Sequence, residues 1–514
     1  MNLTDSKQRK SGVVISYITA FISIPISLIY TPILLTWLGQ QEYGVYSLVA
    51  STASYLSLLS LGFGGAYIRF FTRIKSGDQK DMACYNGLYL TVFCVMGLIA
   101  LILGLGLASH TSSVFKALTQ DEARLAEELL KILALSVAIS FPISVFDAII
   151  TAHECFVFQK ILILVKRVLN PCIVVALLFL GLRSRALVYV TLLITVVSGF
   201  VSIYFAFSKL HIAFSFHNMP KRLLKEVFSY SVFIFVAMIS DQVSWNLDKF
   251  LLGIYKSSSQ IAIYGIAAQL NGYVLTFGDV VSNVFTPQIH KLSVSDDREN
   301  LLTALLIKVG RIQFFIVGLI ALGYLFLGEQ FILIWAGTDY KESYRVGLVL
   351  IGSITLPLIE SITIEILRAM GLNKKYALIV ILGVIVNLIL SIPLCKYFGA
   401  MGCASGTAIS LLITSWFLRN ACLKKYAGID THTFFLQVLK LLPSLLLPII
   451  CGVLIKHLFP INGYFMLMLM GMVFVAVYFI SVWFFGMNQF EKDYFIAPLG
   501  HIKKHLLFVL RRNK

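Results

Sequence analysis

The chain has 514 residues, 58% of them hydrophobic and only 13% charged, with a mean hydropathy of +0.87 and a formal net charge of +17. An average soluble domain carries about 25% charged residues, so a water-soluble globule is excluded. In a soluble protein so large a basic surplus would suggest nucleic acid; here the cations follow short loops between apolar stretches, which excludes that partner.

The apolar stretches come in series, at 11–37, 44–71, 84–108, 129–151, 158–181, 187–208, 226–254, 261–288, 301–327, 343–369, 373–395, 400–420, 435–456 and 462–486. A bilayer core of about 30 Å needs roughly 20 residues of helix to cross it, and each stretch meets that length. The fold expected is all-α and polytopic, with about fourteen transmembrane helices. The first stretch follows a basic start but lacks a small-residue cleavage site, so it is expected to remain as a helix rather than be removed as a signal peptide.

With residues 1–10 placed in the cytoplasm and the loops alternating in side, 31 of the 42 Lys and Arg residues fall inside. This is the positive-inside bias. It predicts a multi-pass membrane protein with both termini cytoplasmic. The eight cysteines stand singly, with no CxxC pair or disulfide framework, and they are expected to pack as small residues within the membrane. Pro25, Pro32, Pro142, Pro171 and Pro357 interrupt spans and are expected to bend them.

An internal repeat follows. Pro142 matches Pro357 and Lys160 matches Lys375 at an offset of 215, Asn170 matches Asn387 at 217, and Tyr46 matches Tyr264 at 218. The helices before the last pair end alike, in ILLTWLG (33–39) and FLLGIYK (250–256). A constant offset covering six spans implies a parallel duplication. The expected organisation is an N-terminal lobe at 1–208, a cytoplasmic linker at 209–225, a C-terminal lobe at 226–420, two added spans at 421–486 and a basic cytoplasmic tail at 487–514. Two similar bundles are the architecture of alternating-access carriers, with substrate held between them. The longest outer segments, 109–128 and 328–342, leave no room for a catalytic domain, so no enzyme is expected. In particular, an integral-membrane enzyme that relies on a sizeable outer loop is disfavoured.

The segment WLGQQEYGVYSLVASTASYLSLLSLGFGGAYIRFFTRIKSGD (37–78) resembles the first hairpin of bacterial polysaccharide flippases, the Wzx-like members of the multidrug/oligosaccharidyl-lipid/polysaccharide exporter superfamily. NLDKFLLGIY (246–255), FILIWAGTDYKES (331–343) and ILRAMGLNKKYALIVILGVIVNLILSIPLCKYFGAMGCASGTAIS (366–410) are similar to the same family, in the same order. The resemblance implies two six-helix lobes around a central cavity. The activity it implies is transfer of an undecaprenyl-diphosphate-linked oligosaccharide from the cytoplasmic to the outer leaflet, for O-antigen, capsule or exopolysaccharide. A drug/cation antiporter of the superfamily is the first alternative, although those more often have about twelve spans. A lipid II flippase is the second. Such flippases carry arginines in their first helix, whereas Glu42 is the only charged residue between Lys10 and Arg69 here.

Moving a glycan headgroup through hydrocarbon costs several kcal/mol per unpaired polar group. Ionisable residues inside spans, each costing about 2.5–3.5 kcal/mol to insert, are therefore the candidates for lining a polar cavity. Asp241, Trp245 and Asp248 fall at i, i+4 and i+7 on one face of span seven, with Lys249 beside them. Lys249 would meet the anionic headgroup while Asp241 or Asp248 takes a coupling ion, H+ or Na+; the alternative is an ion pair that locks helices. Asp147, Asp279, Glu360, Arg69 and Arg311 are further candidates, the two arginines with snorkelling at a helix end as the plainer role. Glu365 and Arg368 are spaced to pair with each other. No metal site is expected: His501 and His505 have ligand spacing, but flanking lysines and the lack of a carboxylate mark a basic amphipathic segment on the inner leaflet. The expected partners are lipid-linked oligosaccharide, membrane lipids and other polysaccharide assembly proteins, and the carrier is complete as a monomer.

Overall fold

The computed structural model describes residues 5–60, 62–75, 79–216, 246–489 and 491–492, with single positions between 226 and 242; the side chains of 5–14, 16–18, 20, 21, 72–75, 79 and 80 are not among those described. Expected span 226–254 thus falls partly outside the described residues, as do most of the linker and the tail beyond 492. Among the described residues helix is the only regular structure, as the all-α expectation required.

Eleven helical stretches among the described residues are long and apolar enough to cross a membrane. Two of them, Ile22–Phe71 and Asn373–Ala427, have 50 and 55 residues, about twice what a bilayer needs at roughly 1.5 Å per residue. Each covers two expected spans. Their long helices are broken by non-helical backbone at Gly39 (φ 74°) and Gly399 (φ 61°). Expected span ten is also divided: Glu342–Ile359 stops, Glu360 and Ser361 turn, and the helix resumes as Ile362–Ala369. Span twelve widens into π-helix at Leu412–Leu418 and again at Leu423–Ala427. The expected bend at Pro142 lies within a continuous helix, Gln120–Ala152. That helix starts with a reciprocal cap: the Thr119 hydroxyl accepts from the Glu122 amide at 3.4 Å, and Glu122 accepts from the Thr119 amide at 2.9 Å.

Left-handed residues recur at the repeat offset. Glu154 (φ 58°), Gly181 (φ 82°) and His211 (φ 49°) end spans four, five and six. Gly371 (φ 73°), Gly399 and Gly428 (φ 68°) stand 217, 218 and 217 residues later. The amides that follow are held alike in two of these places. Glu42 accepts from the Ser184 amide at 2.9 Å and the Ser184 hydroxyl at 2.6 Å, and Gln260, 218 residues on from Glu42, accepts from the Ala400 amide at 3.0 Å. Each satisfies one of the orphan donors at a helix start.

The chain groups into two compact units, Met1–Gln269 with Val380–Ser410, and Leu270–Ile379 with Leu411–Lys514. In the first, Tyr67, Tyr85, Tyr89 and Phe93 form a buried aromatic cluster, with Tyr67 and Tyr85 stacked at 4.9 Å. The same unit holds close contacts between distant stretches of chain. A Cβ on Gly44 would collide with the Ser258 carbonyl oxygen, and one on Gly253 would come within 2.7 Å of the Leu48 side chain. Ser258 donates to Glu122 at 2.5 Å, Ser54 to Gln242 at 3.0 Å and Gln269 to Thr31 at 2.8 Å. In the second unit, Leu306, Ile362, Ile366, Leu423 and Phe434 form an apolar core. The last span is pinned there by Tyr478, which donates to the Phe315 carbonyl at 2.9 Å.

Candidate functional site

Asp248 lies on the helical stretch 246–255 and is only 3% exposed. Its Oδ2 accepts from the hydroxyl of Tyr264, on helix Ser258–Leu292, and from that of Thr407 at 2.8 Å. Thr407 accepts in turn from the Asn387 amide group at 3.0 Å, and Ser391 donates to Asn387 Oδ1 at 3.1 Å. Asn387 and Ser391 precede the break at Gly399 and Thr407 follows it, so one reversal supplies three members of the network.

The reversal is tight because of two glycines. A Cβ on Gly402 would strike the Leu394 carbonyl, and one on Gly406 would come within 2.9 Å of Ser391 Cα. Gly402 and Gly406 are a small-xxx-small pair, which lets two membrane helices approach closely enough for polar side chains to meet. The reading of the sequence missed Thr407 and Ser391. Tyr264 and Asn387 were visible in it only as repeat markers, and the GCASG run (402–406) was the available signal.

Asp248 Oδ1 has no hydrogen-bond partner among the described residues. An orphan carboxylate oxygen in a buried place is costly unless something occupies it. Among the described residues the side chains of this network are carboxylate, phenol, hydroxyl and carboxamide, and the Cys403 thiol lies on the Asp248 backbone carbonyl at 3.8 Å. The oxygen groups suit a proton or an alkali cation and not a soft transition metal.

The other candidates are distributed widely. Lys249 is half-buried and makes no hydrogen bond or ion pair with any described residue. Asp241 and Trp245 lie outside the described residues. Asp147 accepts from Ser202 at 2.9 Å. Arg69 and Asp279 are exposed. Arg311 makes a two-pronged pair with Glu491, at 2.5 and 2.9 Å, and donates to the Gly486 carbonyl at 2.9 Å. Glu360 is fully buried at the turn in span ten, where Arg419 and Asn420 each donate to it at 2.7 Å. Beside it in sequence, Ser361 joins Gln313 at 3.3 Å and Ser282 in a second polar group. Glu365 and Arg368 pair with each other at 2.5 Å.

The profile of the family described as polysaccharide biosynthesis protein matches residues 10–293. The chain belongs to this family. It is 24% identical over 430 residues to EpsK, an uncharacterized membrane protein of Bacillus subtilis, covering 81% of this chain and 83% of that one. It is 21% identical over 384 residues to AglR of Haloferax volcanii, a probable flippase, covering 74% and 76%. Among solved structures it is similar to the lipid II flippase MurJ in an inward closed conformation. There the TM-score is 0.68 at 17% identity, and the match covers 95% of this chain and 99% of MurJ. An inward-facing multidrug transporter of the MATE family matches with a TM-score of 0.64 at 14% identity, over 80% and 99%. The fold is that of the multidrug/oligosaccharidyl-lipid/polysaccharide exporter superfamily. AglR is named a probable flippase, and the solved neighbours are a flippase and a transporter; the fold is what this chain shares with those two.

Proposed function

We propose that this protein flips polyprenyl-diphosphate-linked oligosaccharide repeat units from the cytoplasmic to the outer leaflet of a bacterial inner membrane, feeding O-antigen, capsule or exopolysaccharide assembly. The family match carries this reading, because polysaccharide biosynthesis needs its lipid-linked units on the far side of the membrane. The recurrence of left-handed helix ends at 217–218 residues supports a duplicated carrier of two six-helix lobes and two added spans. Both termini are placed in the cytoplasm and the working unit is a monomer.

Alternating access requires a closure that can open. The contacts of Gly44 with Ser258, Gly253 with Leu48, and Glu122 with Ser258 join the two repeats at the ends read as outer. They have the small-residue, hydrogen-bonded character of a separable seam. Asp248, Tyr264, Thr407 and Asn387 would hold the coupling ion, a proton or sodium. Lys249 would attract the anionic headgroup.

Deleting the gene and following labelled lipid-linked oligosaccharide tests the function. Single repeat units should accumulate on the cytoplasmic face. Loss of polymer with normal repeat units already outside would refute flipping and favour a polymerase or ligase. Efflux of cationic dyes by the purified protein, with no movement of the lipid-linked unit, would favour the drug/cation antiporter instead.

A further inference from the structure

The first compact unit contains a cavity of about 420 Å³ that the ion cluster does not use. Its walls come from Tyr55 and Leu56 of the second span, Leu103 and Leu107 of the third, and Leu247 and Phe250, which flank Asp248 in sequence. The size falls within the roughly 300–1,000 Å³ of small-molecule sites. Almost every wall atom is carbon. The Thr52 hydroxyl, also at the wall, is already committed to the Leu48 carbonyl at 2.8 Å. The Tyr55 hydroxyl is the exception, buried with no partner among the described residues. A space lined this way offers water too few hydrogen bonds to hold it.

Two further observations say what would fill it. Leu103 is 52% exposed and continues a row of exposed apolar side chains on the same helix, Leu98, Ile99 and Ile102. In a membrane protein that row faces lipid, so the cavity is continuous with the hydrocarbon phase. Lys249, beside two of the wall residues in sequence, is a cation within a span that pairs with no described residue, and such a charge is costly until an anion meets it. An apolar cleft with one cation fits a hydrocarbon chain that ends in phosphate.

We propose that this cavity seats part of the isoprenoid chain of the polyprenyl-phosphate carrier, with Lys249 supplying the cation for its phosphate. The assignment rests on the flippase reading for the identity of the chain. It puts the lipid tail next to the Asp248 cluster, so that occupancy by the carrier and by the coupling ion are sensed at the same turn of helix.

The test is binding of undecaprenyl monophosphate to the full-length protein in nanodiscs, followed by native mass spectrometry, with phosphatidylglycerol as competitor. Leu103→Trp and Leu247→Trp fill the cavity, and Leu98→Trp adds the same bulk on the lipid-facing row outside it. Displacing two methylene equivalents of contact, at about 0.8 kcal/mol each, predicts at least a tenfold loss of affinity for the first two and less than twofold for the third. Lys249→Gln should weaken binding in low salt and abolish its salt dependence. Leu103 is half-exposed, so its variant keeps the packed core and remains informative if Leu247→Trp does not fold. Wild-type affinity in Leu103→Trp overturns the assignment, as does equal competition by phosphatidylglycerol, which would make this an ordinary acyl-chain site. If the wild type binds undecaprenyl monophosphate but moves no lipid-linked oligosaccharide, the flippase reading fails while the cavity assignment stands. If the wild type flips and the filled variants bind unchanged, the reverse holds.

Discussion

Arg419→Met is the substitution with the clearest energetic consequence. Glu360 is fully buried, and among the described residues Arg419 and Asn420 donate to its side chain, each at 2.7 Å. The Arg419 side chain is itself only 5% exposed. Removing the guanidinium leaves a buried carboxylate with one neutral donor, and breaking a buried pair from one side costs about 3–5 kcal/mol. Replacing both partners, Glu360→Leu with Arg419→Met, removes the charge along with its counter-charge and is expected to cost less than about 1 kcal/mol or to stabilise. The single and double variants should therefore differ by about 3 kcal/mol in a double-mutant cycle. Denaturant-induced unfolding in a mild detergent, read by tryptophan fluorescence, measures this directly. A single-variant cost below about 1 kcal/mol, or a double variant as damaged as the sum of the singles, would refute the claim that the pair is mutually neutralising.

Three other outcomes are expected. Asp248→Asn should remove the ion or pH dependence of flipping in liposomes more than cargo binding, while Lys249→Ala should weaken headgroup capture; wild-type rates with unchanged ion dependence in both would leave the cluster a structural one. Gly406→Val drives a side chain into Ser391 and separates Asn387 from Thr407, so it should abolish ion dependence even where the protein is still inserted, as read by sodium and proton titrations of transport. Arg311→Gln breaks a pair whose members are 12% and 5% exposed, costing about 3 kcal/mol; it should speed proteolysis after Gly486 while leaving the KM for cargo unchanged, and a raised KM would restore Arg311 as a cargo contact.

Much of the architecture could be read from the sequence because a bilayer imposes a length on every crossing helix. The breaks at Gly39 and Gly399 fall between expected spans, since a glycine between two apolar runs admits the positive φ a reversal needs. The division of span ten at Glu360 was not legible. Pro357 advertised a bend, but the turn comes three residues later, where a buried pair with Arg419 can stabilise it, and that partner is 59 residues away. The site was half legible. A carboxylate in a span announces itself by its cost, whereas Thr407 and Ser391 are ordinary membrane residues until a helix reversal brings them together. Arg311 illustrates the converse: a charge near a helix end looks available, and only the fold reveals Glu491 taking it up.

The recurring left-handed ends also make one half of the chain a stability template for the other. Where the second half has Gly428, the first has His211 at φ 49°, and a side chain in that conformation carries about 1–2 kcal/mol of steric cost that glycine avoids. The two positions thus show both solutions to one backbone requirement within a single molecule. Transplanting the glycine to position 211 is a route to a sturdier protein for biochemical work, found by comparing the chain with itself.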